Sequence, residues 1–244
     1  MSRNKYKCVV LTFAILAFSA FYPITGYADT FTGDTSRSTG KLGDYIAEFT
    51  YSLFSPTAAE LDVTLKNISP ASNGGYLTGF VFNNPNNFIT NVSLAASNTF
   101  FSLLGSPSFK DSISASPFGR YDIGAALGGN FLGTGNPTKG IAVGQSASFD
   151  FTITGKGLDQ LSAGSFVQTK SNEGEFFIAR FRGFNNGGSD KVPGGGPTGV
   201  PEPNIIYLLL FGIIGLTIFR KKLTNLFNKC NNLAVKSTVL TRKE

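Results

Sequence analysis

Two stretches of the sequence decide the fold: Glu60-Leu61-Asp62-Val63-Thr64-Leu65-Lys66 and Ser148-Phe149-Asp150-Phe151-Thr152-Ile153-Thr154. In both stretches every second residue is apolar, and the residues between them are polar or charged. This two-residue period is typical of a β-strand that has one face in a core and the other in water. We therefore predict an antiparallel strand at each place.

Similar patterns recur through the middle of the chain, separated by runs rich in Gly, Pro, Asn and Ser that break regular structure. The further strand candidates are residues 44–54, 76–82, 88–96, 120–127 and 176–184. No stretch shows a helical period over three turns. About seven to nine short strands predict an all-β domain, an antiparallel β-sandwich, with a jelly roll as the alternative.

The positive charge of the chain is concentrated at its two ends. The formal net charge is +6, yet residues 29–199 carry eleven basic and thirteen acidic residues, a net charge of −2. The entire basic excess lies in residues 1–28 and 200–244. A basic groove for phosphates is therefore not expected in the body of the protein, and no nucleic-acid partner is predicted. Basic residues beside apolar stretches indicate a membrane instead.

The composition also limits the chemistry. The chain has no histidine, which excludes a Ser-His-Asp triad, a Cys-His pair and a His-ligated zinc site. Cys8 and Cys230 are the only cysteines, so residues 29–199 hold no disulfide and depend on their core for stability. We predict no enzyme activity, no catalytic residue, no cofactor and no metal motif, although a calcium site made from scattered oxygen ligands stays open.

The N-terminus has the pattern of a secretory signal peptide. A basic start is followed by an apolar run over residues 8–18 and then by Gly26-Tyr27-Ala28, which places small residues before a cleavage site. We predict a signal peptide over residues 1–28, cleavage between Ala28 and Asp29, and export of the residues that follow.

A second apolar stretch covers residues 205–219 and ends at the basic cluster Arg220, Lys221 and Lys222. As a helix it would reach about 22 Å, so residues beyond it must contribute if it is to span a hydrocarbon core of about 30 Å. Basic residues that follow a span stay in the cytoplasm. We predict a single transmembrane helix with residues 29–204 outside and a basic cytoplasmic tail over residues 223–244.

The segment 200–222 resembles a PEP-CTERM sorting signal. It contains Val200-Pro201-Glu202-Pro203, a short hydrophobic helix with small residues, and the basic stop described above, in that order. The resemblance implies that Pro201, Glu202 and Pro203 are the motif recognised by an exosortase-type membrane protease. It also implies a Gram-negative-type bacterium that makes exopolysaccharide, and delivery of the protein to the cell surface or to a biofilm matrix.

We predict that the residues before this segment form a linker that tethers the domain to the membrane. Residues 185–199 are rich in Gly and Pro, which predicts a flexible linker between a domain that ends at residue 184 and the membrane. The two prolines of the motif itself prevent helix continuation, so the chain is expected to leave the membrane in an extended form.

Paired carboxylates and a pair of arginines suggest ligand sites, but each pair can also be explained by its place in a strand or turn without any ligand. Glu60 with Asp62, and Glu173 with Glu175, are spaced like paired carboxylates, but both pairs also fit solvated strand or turn positions. Residues 176–184 place Arg180 and Arg182 on either side of Phe181. The arginines fit the outer face of a strand, or an arginine and aromatic surface for an acidic polysaccharide.

These observations lead to three hypotheses of function. The first is an exported, non-catalytic surface protein with a structural or adhesive role at the cell surface or in the exopolysaccharide matrix. The second is a carbohydrate-binding module held at the membrane, with Tyr76 and Tyr121 as glycan contacts and the loops 83–87 and 128–139 at one end of the sandwich. The third and remotest is a secreted hydrolase.

Overall fold

The structure, a computed structural model, describes residues 28–133, 135–197 and 220–222. It divides into two units, residues 1–198 and 199–244. In the second unit the described residues are Arg220, Lys221 and Lys222, which are helical and exposed. No helix among the described residues has the length and apolar character needed to cross a membrane. The predicted signal peptide and the predicted span over 205–219 lie outside the described residues.

The first unit is built from thirteen described strands, one short helix and three single 3-10 turns. The strands are β1 (Ala28–Gly33), β2 (Tyr45–Ser55), β3 (Ala58–Asn67), β4 (Gly74–Phe82), β5 (Ile89–Ala96), β6 (Phe101–Leu104), β7 (Ile113–Ser114), β8 (Arg120–Tyr121), β9 (Ile123–Leu127), β10 (Ile141–Ala142), β11 (Ser146–Gly155), β12 (Phe177–Phe184) and β13 (Ser189–Pro197). The helix is α1 (Ala163–Gln168), and the 3-10 turns cover Pro85–Asn87, Pro137–Lys139 and Leu158–Gln160. The all-β prediction is therefore confirmed.

The two stretches that decided the fold are neighbouring strands. They lie within β3 and β11, which pair antiparallel from Ser146–Lys66 to Thr154–Ala58. Every second residue of β11 is buried and the alternate ones are exposed, as the two-residue period requires. All five of the other predicted strands also contain strand residues, and residues 120–127 are divided between β8 and β9.

One continuous sheet forms both layers of a sandwich. Its strand order is β5-β11-β3-β2-β1-β13-β12-β4-β9-β6, with β10 paired to β4, while β7 and β8 form a separate pair. Rings from opposite halves of this sheet meet in the core: Phe80 and Phe149 lie 4.7 Å apart between centroids, and Phe49 and Phe82 lie 5.6 Å apart. The continuity through β13 differs from the two separate sheets of a jelly roll.

The outer face of the half that contains β4, β9 and β12 is also covered. Val81, Ala126 and Ile178 point away from the main core, yet all three are buried. They pack with Ile113, Tyr121 and other residues of the segment around β7 and β8 in a second apolar cluster. A strand pattern with one wet face therefore applies to β3 and β11, but not to β12.

The last strand corrects the prediction of a flexible linker over residues 185–199. Residues 189–197 form β13, which pairs with β12 on one side and with β1 on the other. Glycine is used here because the neighbours approach closely: a Cβ on Gly194 would lie 2.4 Å from the ring of Phe176. The domain therefore extends to residue 197 and does not end at residue 184.

The first and last described residues of the first unit, Ala28 and Pro197, lie at one end of the sheet. Phe31 of β1 pairs with Pro197 of β13, and the two strands run antiparallel. Ala28, three residues before Phe31, therefore leaves the sheet on the same side as the chain that follows Pro197. The β2–β3 hairpin points the same way and extends beyond this end, because Ala28 pairs with Thr50 in the middle of β2 and five more residues of β2 follow.

Candidate anion-binding face

Three cationic side chains lie together on the outer face of β12 and β13. Arg180 is directly opposite Lys191 across this strand pair, and Arg182 lies two residues further along β12. Residues two apart on a strand, and residues directly opposite across a ladder, share a face. All three side chains are partly buried. We call Arg180, Arg182 and Lys191 the cationic strip.

The heads of two strip residues bind backbone carbonyl groups of the covering loops. Arg182 Nη1 donates a hydrogen bond to the Gly135 carbonyl oxygen at 2.9 Å. Lys191 Nζ donates a hydrogen bond to the Ser116 carbonyl oxygen. These bonds fix the outer two cations and leave both with their positive charge uncompensated.

Arg180 differs from its neighbours because its Nε is buried without a hydrogen-bond partner among the described residues. Next to it on β4 stands Gly79, which has no side chain to cover the guanidinium. A buried N–H group without a partner costs about 1–3 kcal/mol. Arg180 therefore presents an unused donor inside a partly covered site.

The pKa values of the strip respond to burial and to like charge. Burial lowers the pKa of Arg180, and the nearby charge of Arg182 lowers it further. Burial also lowers the pKa of Lys191, with a further contribution from Arg180. Each shift runs in the direction expected for cations that have only other cations as charged neighbours.

No carboxylate pairs with the strip among the residues that the structure describes. The described residues contain two ion pairs, and both are outside the strip: Arg37 pairs with Asp34 and with Glu175. Like charges directly opposite each other across a strand pair destabilise a sheet. The Arg180–Lys191 pair thus breaks a local rule of sheet stability, and such breaks are expected at functional or strained sites.

The sequence left two interpretations of this strand open, and the structure supports parts of each. Phe177, Ala179 and Phe181 point into the core and are fully buried, as the structural account expects. Phe181 therefore cannot form one surface with the arginines. An aromatic residue that does share their face is Tyr76, which is opposite Arg182 and only partly buried.

The two tyrosines proposed as glycan contacts have different positions. Tyr121 has no exposed surface, and its hydroxyl donates a hydrogen bond to the Glu175 carbonyl oxygen at 3.3 Å. The prediction for Tyr121 is therefore wrong, because a buried ring cannot stack on a sugar. Tyr76 keeps a partly accessible side chain beside the cationic strip.

The two loops predicted to share one end of the sandwich lie at opposite ends of β4. Residues 83–87 follow Phe82, the last residue of β4, whereas residues 128–139 precede β10, which pairs near the first residues of β4. A nine-residue strand is about 27 Å long, so the loops cannot form one site. Asn83 and Asn84 are also buried.

The first carboxylate pair is a cluster of three. Glu60 and Asp62 share the outer face of β3, and Asp150 is directly opposite Asp62 on β11. Burial raises the pKa of Asp62, and the charges of Glu60 and Asp150 raise it further. The sequence could not place Asp150 here, because the register of β3 against β11 was unknown.

The second pair is not two solvated carboxylates. Glu173 is exposed, but Glu175 is buried and forms an ion pair with Arg37. Arg37 Nε also donates to Asp34 at 2.6 Å, so one guanidinium links two acids. No group of three or more Cys, Asp or Glu suited to a metal ion occurs within the described ranges.

The residues predicted for processing fall at the borders of the first unit. Ala28 and Asp29 open β1, where Ala28 is exposed and burial raises the pKa of Asp29. Pro201, Glu202 and Pro203 lie outside the described residues. Arg220, Lys221 and Lys222 are exposed on a helical segment of the second unit.

Lys191 is the strip residue that sequence reasoning missed, because it lies in the stretch interpreted as a linker. The signal was Ser189-Asp190-Lys191-Val192, in which Asp190 and Val192 are buried and Ser189 and Lys191 are not. The many glycines that follow concealed this short alternation.

Comparison of the chain with protein-family models and with curated protein sequences finds no match. The fold and the geometry of the cationic strip therefore carry the functional argument: they define an all-β sandwich with an uncompensated cationic face.

Proposed function

We propose that the chain is an exported, non-catalytic surface protein that an exosortase-type protease processes at a PEP-CTERM-like signal. Its place is the cell surface or the exopolysaccharide matrix, where it has a structural or adhesive role. The first unit, an all-β sandwich with a large aromatic core, is suited to that role because a continuous sheet gives a rigid body without disulfides.

The observation that carries this proposal is the position of the two exits of the first unit. Ala28, at the predicted signal cleavage site, and Pro197, just before the predicted sorting segment, belong to antiparallel strands and leave at the same end of the sheet. Two membrane segments attached there could both hold the domain by one end. Removal of both would then free the sandwich without cutting any strand beyond Ala28.

The test is the mass of the protein recovered from membrane and surface fractions of the producing cell. The triple variant Pro201→Ala, Glu202→Gln, Pro203→Ala is compared with the parent chain and with Ser237→Ala, a control substitution in the tail. We expect a surface product that starts at Asp29 and ends close to residue 200, absent only in the triple variant. A product that keeps residues 205–244 in every case would overturn the sorting proposal.

A carbohydrate-binding module is the second candidate, and the observation that favours it is the cationic strip with Tyr76 beside it. The glycan site predicted from the sequence does not form as a whole, because Tyr121 is buried and the loops 83–87 and 128–139 lie at opposite ends of β4. A hydrolase remains the least supported candidate, since the buried carboxylate of Glu175 is occupied by Arg37.

A further inference from the structure

We infer that the cationic strip is a binding site for the acidic groups of a polysaccharide, with Arg180 as its central contact. The inference rests on the proposed function for the kind of polymer that the protein meets. The site itself rests on geometry: two cations face each other across β12 and β13, a third lies beside them, and no described carboxylate compensates them.

The donor that points to a ligand is Arg180 Nε. Arg182 and Lys191 already bind loop carbonyl groups, whereas Arg180 Nε is buried with no partner in the described parts of the chain. A guanidinium offers Nε and Nη as a planar fork that matches the two oxygens of a carboxylate. A carboxylate at this fork would satisfy the free donor and remove the repulsion between Arg180 and Lys191.

The surroundings favour a sugar acid over a free inorganic anion. Gly79 and Ala126, beside Arg180, are buried under the second apolar cluster, so the accessible part of the site is limited to the partly exposed side chains of the strip and of Tyr76. Tyr76, opposite Arg182, adds a partly accessible ring next to the cations. Cations with a partly accessible ring beside them are suited to a pyranose that carries a carboxylate.

The residues around Ser116 and Gly135 border the strip, because these two supply the carbonyl groups that hold its outer cations. The two contacts keep Lys191 and Arg182 in fixed positions on either side of Arg180. A site prepared in this way loses little side-chain freedom on binding.

The experiment measures binding of the full-length chain, purified in mild detergent, to polygalacturonate. Use of the full-length chain makes the result independent of processing at residues 200–203. Neutral dextran and duplex DNA serve as comparison polymers, and each measurement is made at low and at high salt. The variants are Arg180→Met, the double variant Arg180→Met with Lys191→Met, and the control Arg120→Met. Arg120 is an exposed arginine outside the strip whose Nε donates to the Asp111 carbonyl oxygen at 2.5 Å.

We expect the parent chain to bind polygalacturonate and not dextran, and to bind more weakly at high salt. Arg180→Met should weaken binding by about tenfold, the double variant further, and Arg120→Met by less than about twofold. Arg180→Met should also unfold at the same or a higher urea concentration, since it removes a cation whose Nε has no partner. That result separates loss of a contact from loss of the fold.

Three outcomes would overturn the inference. The parent chain binds no polygalacturonate, or Arg180→Met and Arg120→Met weaken binding equally, or duplex DNA binds as well as polygalacturonate in the parent and in all variants. If binding fails while the Asp29 product is still formed, the sorting proposal stands and only this site falls.

Discussion

The carboxylate of Asp190 holds the loop over residues 38–43 against β13, and its removal gives a sharp test of the fold. Asp190 is 1% exposed and accepts five hydrogen bonds. The donors are the backbone N–H groups of Gly40 at 2.6 Å, Leu42 at 2.8 Å and Gly43 at 3.0 Å, and the hydroxyls of Thr39 at 3.1 Å and Ser38 at 3.2 Å. No other residue of the described chain provides so many contacts to one loop.

The perturbation is Asp190→Ala in the full-length chain. It leaves three backbone N–H groups without their acceptor, and each such group costs about 1–3 kcal/mol if it stays buried. The loop can move and let water in, so the full sum is not expected. A loss of about 3–5 kcal/mol in the free energy of unfolding follows, a large fraction of the 5–15 kcal/mol typical of a domain.

The assay is urea unfolding followed by tyrosine fluorescence, which suits a chain with eight tyrosines and no tryptophan. Asp190→Asn keeps one acceptor oxygen but turns an N–H₂ group toward two or three donors, so it should lose about half as much. Asp150→Ala is the matched control. Asp150 is an exposed strand aspartate whose side chain accepts no hydrogen bond from a described residue. Its removal relieves only an exposed repulsion with Asp62, so it should change stability by at most about 0.5 kcal/mol.

The result that would refute the reasoning is an Asp190→Ala variant within about 1 kcal/mol of the parent chain. The N–H groups of the loop would then have other acceptors, and the loop would not depend on β13. A large loss in Asp150→Ala would equally show that the assay responds to something other than the buried hydrogen bonds.

Two further predictions concern the core and the carboxylate cluster. Phe80→Ala should lower the free energy of unfolding by about 3–5 kcal/mol, because the ring of Phe80 is fully buried against Phe149. The control Phe54→Ala removes a ring that is 62% exposed and should change the free energy of unfolding by at most about 0.5 kcal/mol. Equal losses of the two variants in urea unfolding would contradict the assigned burial. Asp62→Asn should stabilise the chain at pH 7 by up to about 1 kcal/mol, since a raised pKa means that the folded state disfavours the ionised form. That gain should disappear as the pH falls below the ordinary Asp value of 3.8, where Asp62 is already protonated, and a gain that persists there would rule out the charge explanation.

The sequence predicted those strands whose two faces differ in polarity. β3 and β11 alternate because one face is in the core and the other is in water, so their pattern was sufficient. β13 was missed because its composition reflects close packing: Gly194 lies under the ring of Phe176, and Gly195 lies near the Thr32 carbonyl oxygen. Gly/Pro-rich composition alone cannot separate a linker from a strand packed this tightly.

For the same reason, the sequence predicted only two of the three residues of the cationic strip. Arg180 and Arg182 could be placed on one face from the two-residue period of β12. Lys191 could not be placed with them, since that required the register of a strand that was not predicted. Burial of Tyr121 and Ile178 was also hidden, because it arises where the segment around β7 and β8, which contains Tyr121, packs on the outer face of the sheet that contains Ile178, and this is a matter of long-range packing. Local pattern predicts faces of strands, and it does not predict what covers them.

The position of β13 also decides when the molecule can mature. This strand is the last of the domain to be synthesised, yet it lies between β1, the first, and β12. Residues 32–196 separate Phe31 from its partner Pro197, so the seam between the two halves of the sheet closes only after the whole domain has emerged. Until then β1 lacks one neighbour and the aromatic core stays open. The domain therefore gains its rigidity in a single late step, when β13 enters the sheet.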